Sequence, residues 1–421
     1  MKFKRTILKN GLRLVTVPMP ENQTVTVMVM ANVGSRYETP ELNGISHFLE
    51  HMCFKGTTKR TCAQIYFELD AIGANFNAFT GQEVTGYYAK AHYKTFPKIT
   101  EVLSDIYLNS TFPAEELEKE RGVIIEEINM YEDLPQSKVL DIFTEAFYGN
   151  HPMGKSVAGP KENIKKFTRD DFLKYHKKHY TASATTIVVA GNFKYAEVKK
   201  MIEGYFTTTK KDLAVVPEKF LVTQTTPVSK VAFKETDQSH LVLGFRTFDM
   251  YDKKRPILSV LSAVLGGGMS SRLFTKMREE LGICYYIKCG ASLATDSGAL
   301  VIRSGVGNGR LKEAINGILA EVRRMTTENV SKRELDKVKN LLVSDVVMGL
   351  ETSNQNADFY GEQEIFHEKI KEPAALIAAI KKVTAAQIKS LAQEIFQTKN
   401  ITFAVIGPNK NEAEITSLLK V

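Results

Sequence analysis

The order of apolar and polar positions predicts short strands that alternate with amphipathic helices. The run TVTVMVMAN (24–32) has the β-branched composition of a strand, and TTIVVAG (185–191) predicts a buried strand. Residues 73–92 alternate as one or two strands with a turn near Gly81. The N-terminus alternates as two short strands joined at Asn10-Gly11, a dipeptide preferred in two-residue hairpin turns.

Helical periodicity fills most of the chain between these strands. The predicted helices are the stretch around 42–55, residues 64–72, a long helical region from 93 to about 148 that is broken at Pro113 and near Pro135, and residues 168–180.

The second half of the chain repeats the order of elements of the first half. Phe167–Gly191 aligns without a gap on Val383–Gly407, and the strand at 24–30 is echoed by HLVLGF (240–245) at nearly the same shift. A stretch without clear periodicity, Thr207–Ser229, predicts the linker. We therefore expect an α+β fold of two homologous domains, residues 1–215 and 225–421, each a mainly antiparallel sheet packed with helices.

Composition limits the classes of function. The 421 residues carry a formal net charge of +8 without a long basic run, so the charge favours solvated faces over a nucleic-acid interface. No apolar stretch is long enough to span a membrane. The four cysteines form no C-x-x-C pair, which favours free thiols and a cytoplasmic location. We accordingly expect neither a nucleic-acid nor a membrane partner.

Three polar side chains suited to metal chemistry fall within five residues of one predicted helix. His47 and His51 are one turn apart and Glu50 lies on the same arc, so two imidazoles and a carboxylate converge. The order H-x-x-E-H is the inverzincin motif, in which the glutamate takes a proton from water activated by a divalent metal. The alternative is that both histidines pack in a core and bond to backbone carbonyls.

A catalytic zinc needs a third protein ligand, and an acidic helix from about Ala114 to Tyr131 offers candidates. Glu120 and Glu127 are two turns apart and share a face, so one would bind metal while the other orients a ligand. By spacing alone, Glu126 is nearly as good a ligand as Glu127, and a solvated acidic face is the alternative to both.

The motif HFLEH, followed by an acidic helix ending in VIIEEINMYED, resembles the inverzincin metallopeptidases, which include pitrilysin, insulin-degrading enzyme and the mitochondrial processing peptidase. The resemblance extends over the whole chain, through NAFTGQEVTGYY, HPMGKSVAGP, KKHYTASATTIVVAGNF and LGGGMSSRLFTKMREELGICYYI. It implies the metalloenzyme fold shared by LuxS and the processing peptidases. At this length, the chain is similar to the short bacterial processing-protease branch.

The resemblance assigns roles to residues that spacing leaves open. It implies one Zn²⁺ per chain, held by His47, His51 and Glu127, with Glu50 as general base and Glu120 in support. The family's arginine–tyrosine pair matches Arg278 and Tyr285, whose donors would stabilise the oxyanion; otherwise they are an exposed helix arginine and a strand aromatic. Substrate binding is expected at Asn77 and Ala78 on a strand edge, and at Gly266, Gly267 and Gly268.

The same glycines have a second interpretation, because the repeat places Ala263, Gly266 and Gly267 opposite the three motif residues. The second half therefore cannot hold the metal. Its glycine run would either cradle an anion or allow close approach of the backbone.

The expected function is zinc-dependent endopeptidase activity on unstructured or presequence-like peptides inside a closed chamber. The resemblance implies a homodimer, or a heterodimer with a homologous subunit, in which Arg278 and Tyr285 would serve the opposite subunit. The alternative is a non-catalytic partner or scaffold subunit of a processing peptidase.

Overall fold

A computed structural model describes residues 3–207, 209, 212, 214–366 and 369–421. The chain forms two compact units. Unit 1 comprises Met1–Asn129, Lys155–Glu218 and Gly349–Ile370, and unit 2 comprises Met130–Gly154, Lys219–Met348 and Lys371–Val421. Each unit is therefore assembled from three separate pieces of sequence.

The strands are β1 Lys4–Ile7, β2 Arg13–Pro18, β3 Thr24–Ala31, β4 Asn75–Thr80, β5 Thr85–His92, β6 Thr185–Gly191, β7 Val228–Phe233, β8 Gln238–Arg246, β9 Cys284–Leu293, β10 Gly298–Gly307 and β11 Ile401–Gly407. The α-helices are α1 Ile45–Met52, α2 Cys62–Asp70, α3 Phe96–Leu108, α4 Ala114–Asp133, α5 Pro135–Tyr148, α6 Lys161–Ile164, α7 Arg169–His179, α8 Tyr195–Phe206, α9 Arg255–Gly266, α10 Arg272–Phe274, α11 Leu311–Thr327, α12 Lys332–Met348, α13 Ser353–Phe366, α14 Pro373–Lys382, α15 Ala385–Ile395 and α16 Glu412–Leu418. A π-helical turn at Thr275–Glu280 follows α10.

The sheet of unit 1 has the strand order β1-β2-β6-β3-β5-β4 in the described part of the chain. Its pairs are antiparallel except for β2 with β6. β4 lies at one edge of this sheet. The turn predicted near Gly81 joins β4 to β5, and the helical breaks predicted at Pro113 and Pro135 separate α3 from α4 and α4 from α5.

Alternating side chains divide the unit 1 sheet into two apolar faces. On β3, Val25, Val27 and Val29 pack in the core that also contains α1 and α3. Met28 and Met30 point the other way and pack with Tyr360 of α13. A strand buried on both faces reads as an almost continuous apolar run, which is the pattern of TVTVMVM.

Unit 2 repeats this architecture with the strand order β7-β11-β8-β10-β9 among its described residues. Again a single pair, β7 with β11, is parallel. β7, β11, β8, β10 and β9 occupy the places of β2, β6, β3, β5 and β4, which confirms the predicted α+β fold of two homologous halves.

Each unit contains one helix that comes from the other half of the sequence. α5, from the first half of the chain, packs through Val139, Phe143 and Phe147 on the unit 2 sheet. α13, from the second half, packs on the unit 1 sheet. The compact units thus differ from the contiguous division into 1–215 and 225–421.

Other local expectations have mixed outcomes. β1 and β2 pair antiparallel, but the ladder ends at Ile7 and Arg13, so Asn10-Gly11 lies in a longer connection than a two-residue turn. In the expected linker, Thr207–Ser229, positions 208, 210, 211 and 213 lie outside the described residues, and the others precede β7 or form its first two residues. The four cysteines are free, and within the described residues no helix is both long and apolar enough to cross a membrane.

Candidate metal centre

The centre is built on α1, an eight-residue helix in the core of unit 1. Its apolar residues Phe48, Leu49 and Met52 are fully buried and fix the rotation of the helix. His47 and His51, one turn apart, lie on the opposite side with ring centroids 4.8 Å apart. The apolar stripe of the helix therefore aims both imidazoles at the same point.

The third group comes from α4, whose buried Leu117, Ile124 and Ile128 hold it against the same core. The Oε2 atom of Glu127 lies 3.6 Å from Nε2 of His47 and 3.6 Å from Nε2 of His51. Glu126, which spacing left equivalent, is exposed and is outside this cluster.

The donor set fits a zinc ion. One ligand atom each from His47, His51 and Glu127 lies within 4.8 Å of the other two. Ligands bound to tetrahedral zinc at about 2.0–2.1 Å are separated by about 3.3 Å, close to the observed spacing. Two imidazoles and one carboxylate leave a fourth position open, which is the arrangement of catalytic zinc sites.

The two histidines differ in their proton affinity. Burial, followed by the nearby charge of His51, lowers the pKa of His47 to about 4, so this ring is neutral near pH 7, as a metal ligand must be. Burial also disfavours the charged form of His51. A hydrogen bond to Glu120 and the charges of Glu50, Glu120 and Glu127 outweigh that effect and raise the pKa of His51.

Glu120 forms a hydrogen bond with His51 on the side of the ring that faces away from the other candidate ligands. Its Oε1 lies 2.9 Å from Nδ1 of His51, and its Oε2 lies 2.6 Å from Nζ of Lys55. Lys55 was not predicted as a site residue; it lies three residues after the end of α1, where helical spacing does not apply. Such outer contacts fix the ring orientation and tautomer of a metal-binding histidine.

Glu50 is buried beside the three candidate ligands, with 9% of its surface exposed. Its Oε2 accepts a hydrogen bond of 3.1 Å from Oγ1 of Thr80, at the end of β4. Burial raises the pKa of Glu50, and the charge of Glu127 adds to this, while His51 and the Thr80 hydroxyl oppose it. A raised pKa suits a carboxylate that takes up and returns a proton near neutral pH. No sequence signal pointed to Thr80.

The expected substrate-binding residues Asn77 and Ala78 lie on β4, the edge strand that carries Thr80. The backbone N–H of Ala78 donates to Oδ1 of Asn77 at 2.9 Å. Their role in binding a peptide stays a prediction.

Arg278 and Tyr285 lie in unit 2, so the structure places them in a different unit from the candidate ligands. Arg278 belongs to the π-helical turn, and Tyr285 is the second residue of β9. The guanidinium carbon of Arg278 lies 5.0 Å from the ring centroid of Tyr285, whose side chain is 75% exposed. The pair is thus formed and accessible, and its role stays a prediction.

Among the described residues, the second half has no metal-binding equivalent of α1. The corresponding helix, α9, places Ala263 and Gly266 where α1 has His47 and Glu50. A side chain at Gly266 would overlap the backbone nitrogen of Cys289 in β9, so this glycine allows close approach of helix and strand. Of the two interpretations of the glycine run, close approach holds at Gly266; substrate binding by Gly266, Gly267 and Gly268 stays a prediction.

Comparison with known proteins gives matches to two family models and to full-length relatives. Residues 13–161 match the family model described as insulinase (peptidase family M16), and residues 166–342 match the model for the peptidase M16 inactive domain. An uncharacterized zinc protease of Bacillus subtilis is 36% identical over 409 residues, which cover 97% of this chain and 99% of that protein. One from Rickettsia felis is 35% identical over 408 residues, covering 97% and 98%.

Solved structures share the fold at lower identity. A protease from Helicobacter pylori has a TM-score of 0.91 and 23% identity over 97% of this chain and 100% of its own. A putative M16-like peptidase from Alicyclobacillus acidocaldarius has a TM-score of 0.84 and 20% identity, covering 97% and 98%. With relatives that match over almost their full length and both family models in chain order, this chain belongs to peptidase family M16, the insulinase family.

Proposed function

We propose that this chain is a zinc-dependent endopeptidase that cleaves unstructured peptides, with one Zn²⁺ per chain bound by His47, His51 and Glu127. The observation that carries the proposal is the convergence of these three groups on one point beside the buried carboxylate of Glu50. A zinc ion bound there supplies a Lewis acid that polarises the scissile carbonyl and lowers the pKa of water to about 7.

Glu50 acts first as base and then as acid. Its carboxylate takes the proton of the attacking water and later delivers it to the nitrogen of the leaving amine. The Thr80 hydroxyl, 3.1 Å from Oε2, holds one carboxylate oxygen, so the other oxygen is the one that carries the proton. Because Glu50 is buried, bulk water has little access to its carboxylate and exchanges protons with it less readily.

The substrate enters as an added strand on the free edge of β4. An edge strand presents unpaired backbone groups, and the N–H of Ala78 is available to an incoming carbonyl once it releases the side chain of Asn77. Only an extended segment can pair in this way. This supports a preference for unstructured chains over folded proteins.

Arg278 and Tyr285 complete the site as hydrogen-bond donors to the substrate carbonyl, supplied by the opposite subunit of a dimer with a closed chamber. A mixture of a Glu50→Gln chain and a Tyr285→Phe chain tests this. Donation between subunits gives one intact site in each mixed dimer, so activity reappears on mixing. If each chain uses its own pair, mixing inactive chains restores nothing.

The activity itself is tested with a mixture of unstructured peptides and mass spectrometry of the products. The zinc-loaded chain should cleave, while Glu50→Gln should bind zinc equally and lose about 10²-fold or more in rate. Removal of zinc with a chelator should abolish cleavage, and added zinc should restore it. Equal cleavage by Glu50→Gln would overturn the assignment of this site.

A non-catalytic partner role is the second candidate, because residues 166–342 of this chain match the model for the peptidase M16 inactive domain. The lost motif belongs to α9, whereas His47, His51, Glu50 and Glu127 are all present and assembled in unit 1. Failure of the zinc-loaded chain to cleave any peptide would favour this second role.

A further inference from the structure

The N-terminus of α1 has no capping side chain of its own. Gly44, the residue before the helix, has a left-handed backbone (φ 102°), and no side chain of the cap position accepts a helix N–H. The first turn of a helix leaves four N–H groups without partners in the helix. In a buried helix of eight residues this is a large fraction of the backbone donors, so another group must satisfy them.

The side chain of Glu38, which lies outside the helix, supplies acceptors for two of the backbone N–H groups at this end. Its Oε1 accepts the Ser46 N–H at 2.7 Å, and its Oε2 accepts the Gly44 N–H at 2.8 Å and Nδ2 of Asn43 at 2.9 Å. Glu38 is only 5% exposed. A carboxylate at this end of a helix also interacts favourably with the helix dipole.

The segment that carries Glu38 is anchored to the strand pair beside the metal centre. The N–H groups of Ser35 and Arg36 donate to the carbonyls of Gly81 and Gln82, in the turn between β4 and β5. The buried guanidinium of Arg36 forms an ion pair of 2.6 Å with Glu83 in the same turn. One segment therefore contacts both the start of α1 and the end of the strand that carries Thr80.

We infer that Glu38 is a positioning residue for the metal centre. By accepting the backbone N–H of Ser46, directly before His47, it fixes the position of α1 and of the side chains of the motif that α1 carries. This inference rests on the proposed function, because it takes His47 and His51 as zinc ligands. Glu38 does not contact either ligand side chain in the contacts above; it acts through the backbone.

The cost of keeping this carboxylate supports such a role. Burial raises the pKa of Glu38 to about 7, although its hydrogen bonds to Asn43, Ser46 and Gly44 act in the opposite direction. Burying a carboxylate costs more free energy than burying the hydroxyl of a serine or threonine cap. Threonine caps occur in this same chain on α2 and α15.

The test measures zinc affinity in the folded protein by competition with a chromogenic chelator. In Glu38→Gln, the side-chain NH₂ group replaces one of the oxygens that accept from the Gly44 and Ser46 N–H groups. We expect zinc binding to weaken about 10-fold or more, because groups that orient metal ligands have effects of this size. With a peptide substrate, kcat should fall while KM changes little, because Glu50 on α1 moves and the β4 edge stays.

The matched control is Thr384→Ala, which removes the threonine cap of α15 in unit 2 and lowers the stability of that helix. Its zinc affinity should equal that of the unmodified protein. If Glu38→Gln does not fold, Glu38→Asp keeps the charge but withdraws the carboxylate by one methylene, and it should weaken zinc binding with the fold intact by circular dichroism.

Zinc affinity within twofold of the unmodified protein in the folded Glu38 variant overturns the inference. Failure of the unmodified protein to bind zinc overturns the proposed function instead, so the two failures are distinguishable.

Discussion

Nδ1 of His51 lies 2.9 Å from Oε1 of Glu120. Burial alone would raise the pKa of Glu120, but its contacts with His51 and Lys55 outweigh this and lower it, so Glu120 is ionised and can only accept. The Nδ1 atom must then carry the proton. In the neutral ring, which is the form that binds a metal, the lone pair of Nε2 is then directed towards Glu127 and the candidate zinc position.

Replacing Glu120 with glutamine should weaken zinc binding about 10–100-fold, because the amide neither enforces the Nδ1–H tautomer of His51 nor pairs with Lys55. Chelator competition measures the change. Glu126→Gln is the matched control, since Glu126 is exposed on the same helix and is outside the cluster. A similar loss in both variants would contradict the specific role of Glu120.

Lys55→Met should weaken zinc binding through Glu120 alone. The Lys55–Glu120 contact of 2.6 Å is mostly buried, so its loss should cost about 1 kcal/mol, a factor of about five in affinity. In the Glu120→Gln background the same change should have almost no further effect, because the shared partner is already gone. Additive losses in this double-mutant cycle would show that Lys55 acts by another route.

The buried ion pair of Arg60 and Asp105 (2.7 Å) should make unit 1 sensitive to acid. Burial opposes ionisation of Asp105, but hydrogen bonds from Thr57, Asn109 and Arg60 outweigh it and lower its pKa below the ordinary 3.8. The resulting stability is present above pH 3.8 and is lost as the pH falls through the lower pKa of the folded state.

Asp105→Asn should therefore flatten the loss of stability in acid and lower the stability at pH 7 by about 1–3 kcal/mol, since Arg60 keeps its ion pairs with Glu68 and Glu101. Urea unfolding at a series of pH values measures both effects. Glu115→Gln is the control, because Glu115 is 82% exposed and its surface ion pair should contribute little. An unchanged pH profile in Asp105→Asn would refute the prediction.

The exchanged helices should prevent either half from folding alone. A polypeptide of residues 1–215 lacks α13, so Met28, Met30 and Val188 lose the side chains that cover them. We expect it to bind hydrophobic dyes and to lack a fixed near-ultraviolet circular dichroism signal.

Adding a peptide of residues 349–370 should restore a cooperative unfolding transition to that polypeptide. The same peptide with Tyr360→Ala should do so poorly, because Tyr360 is 1% exposed and its truncation costs about 3–5 kcal/mol. Cooperative unfolding of residues 1–215 without any peptide would show that α13 is dispensable.

Sequence periodicity anticipated the parts of this protein that depend on local pattern. The strands, the breaks at Pro113 and Pro135 and the duplication follow from alternation, backbone chemistry and self-similarity. The two histidines and Glu50 were also accessible, because helical geometry alone places them together. The choice between Glu126 and Glu127 was not, because both lie close to the required face and the rotation of α4 is set by its buried residues.

Features that join distant segments were missed for a physical reason. The apolar stripe of α5 predicts that Val139 and Phe143 are buried, but it does not say which sheet covers them. Thr80 and Glu38 carry ordinary side chains whose partners lie 30 and 8 residues away. Their roles arise only when the fold brings the pieces together.

The contact at Gly266 bears on the evolutionary history of the two halves. Restoring the motif in α9 would require a glutamate at this position, where even a methyl group would overlap the backbone of Cys289. Gly267, opposite the second histidine, is similarly closed off by Ala263. Point substitutions alone therefore cannot rebuild the motif in α9; helix and strand would first have to move apart.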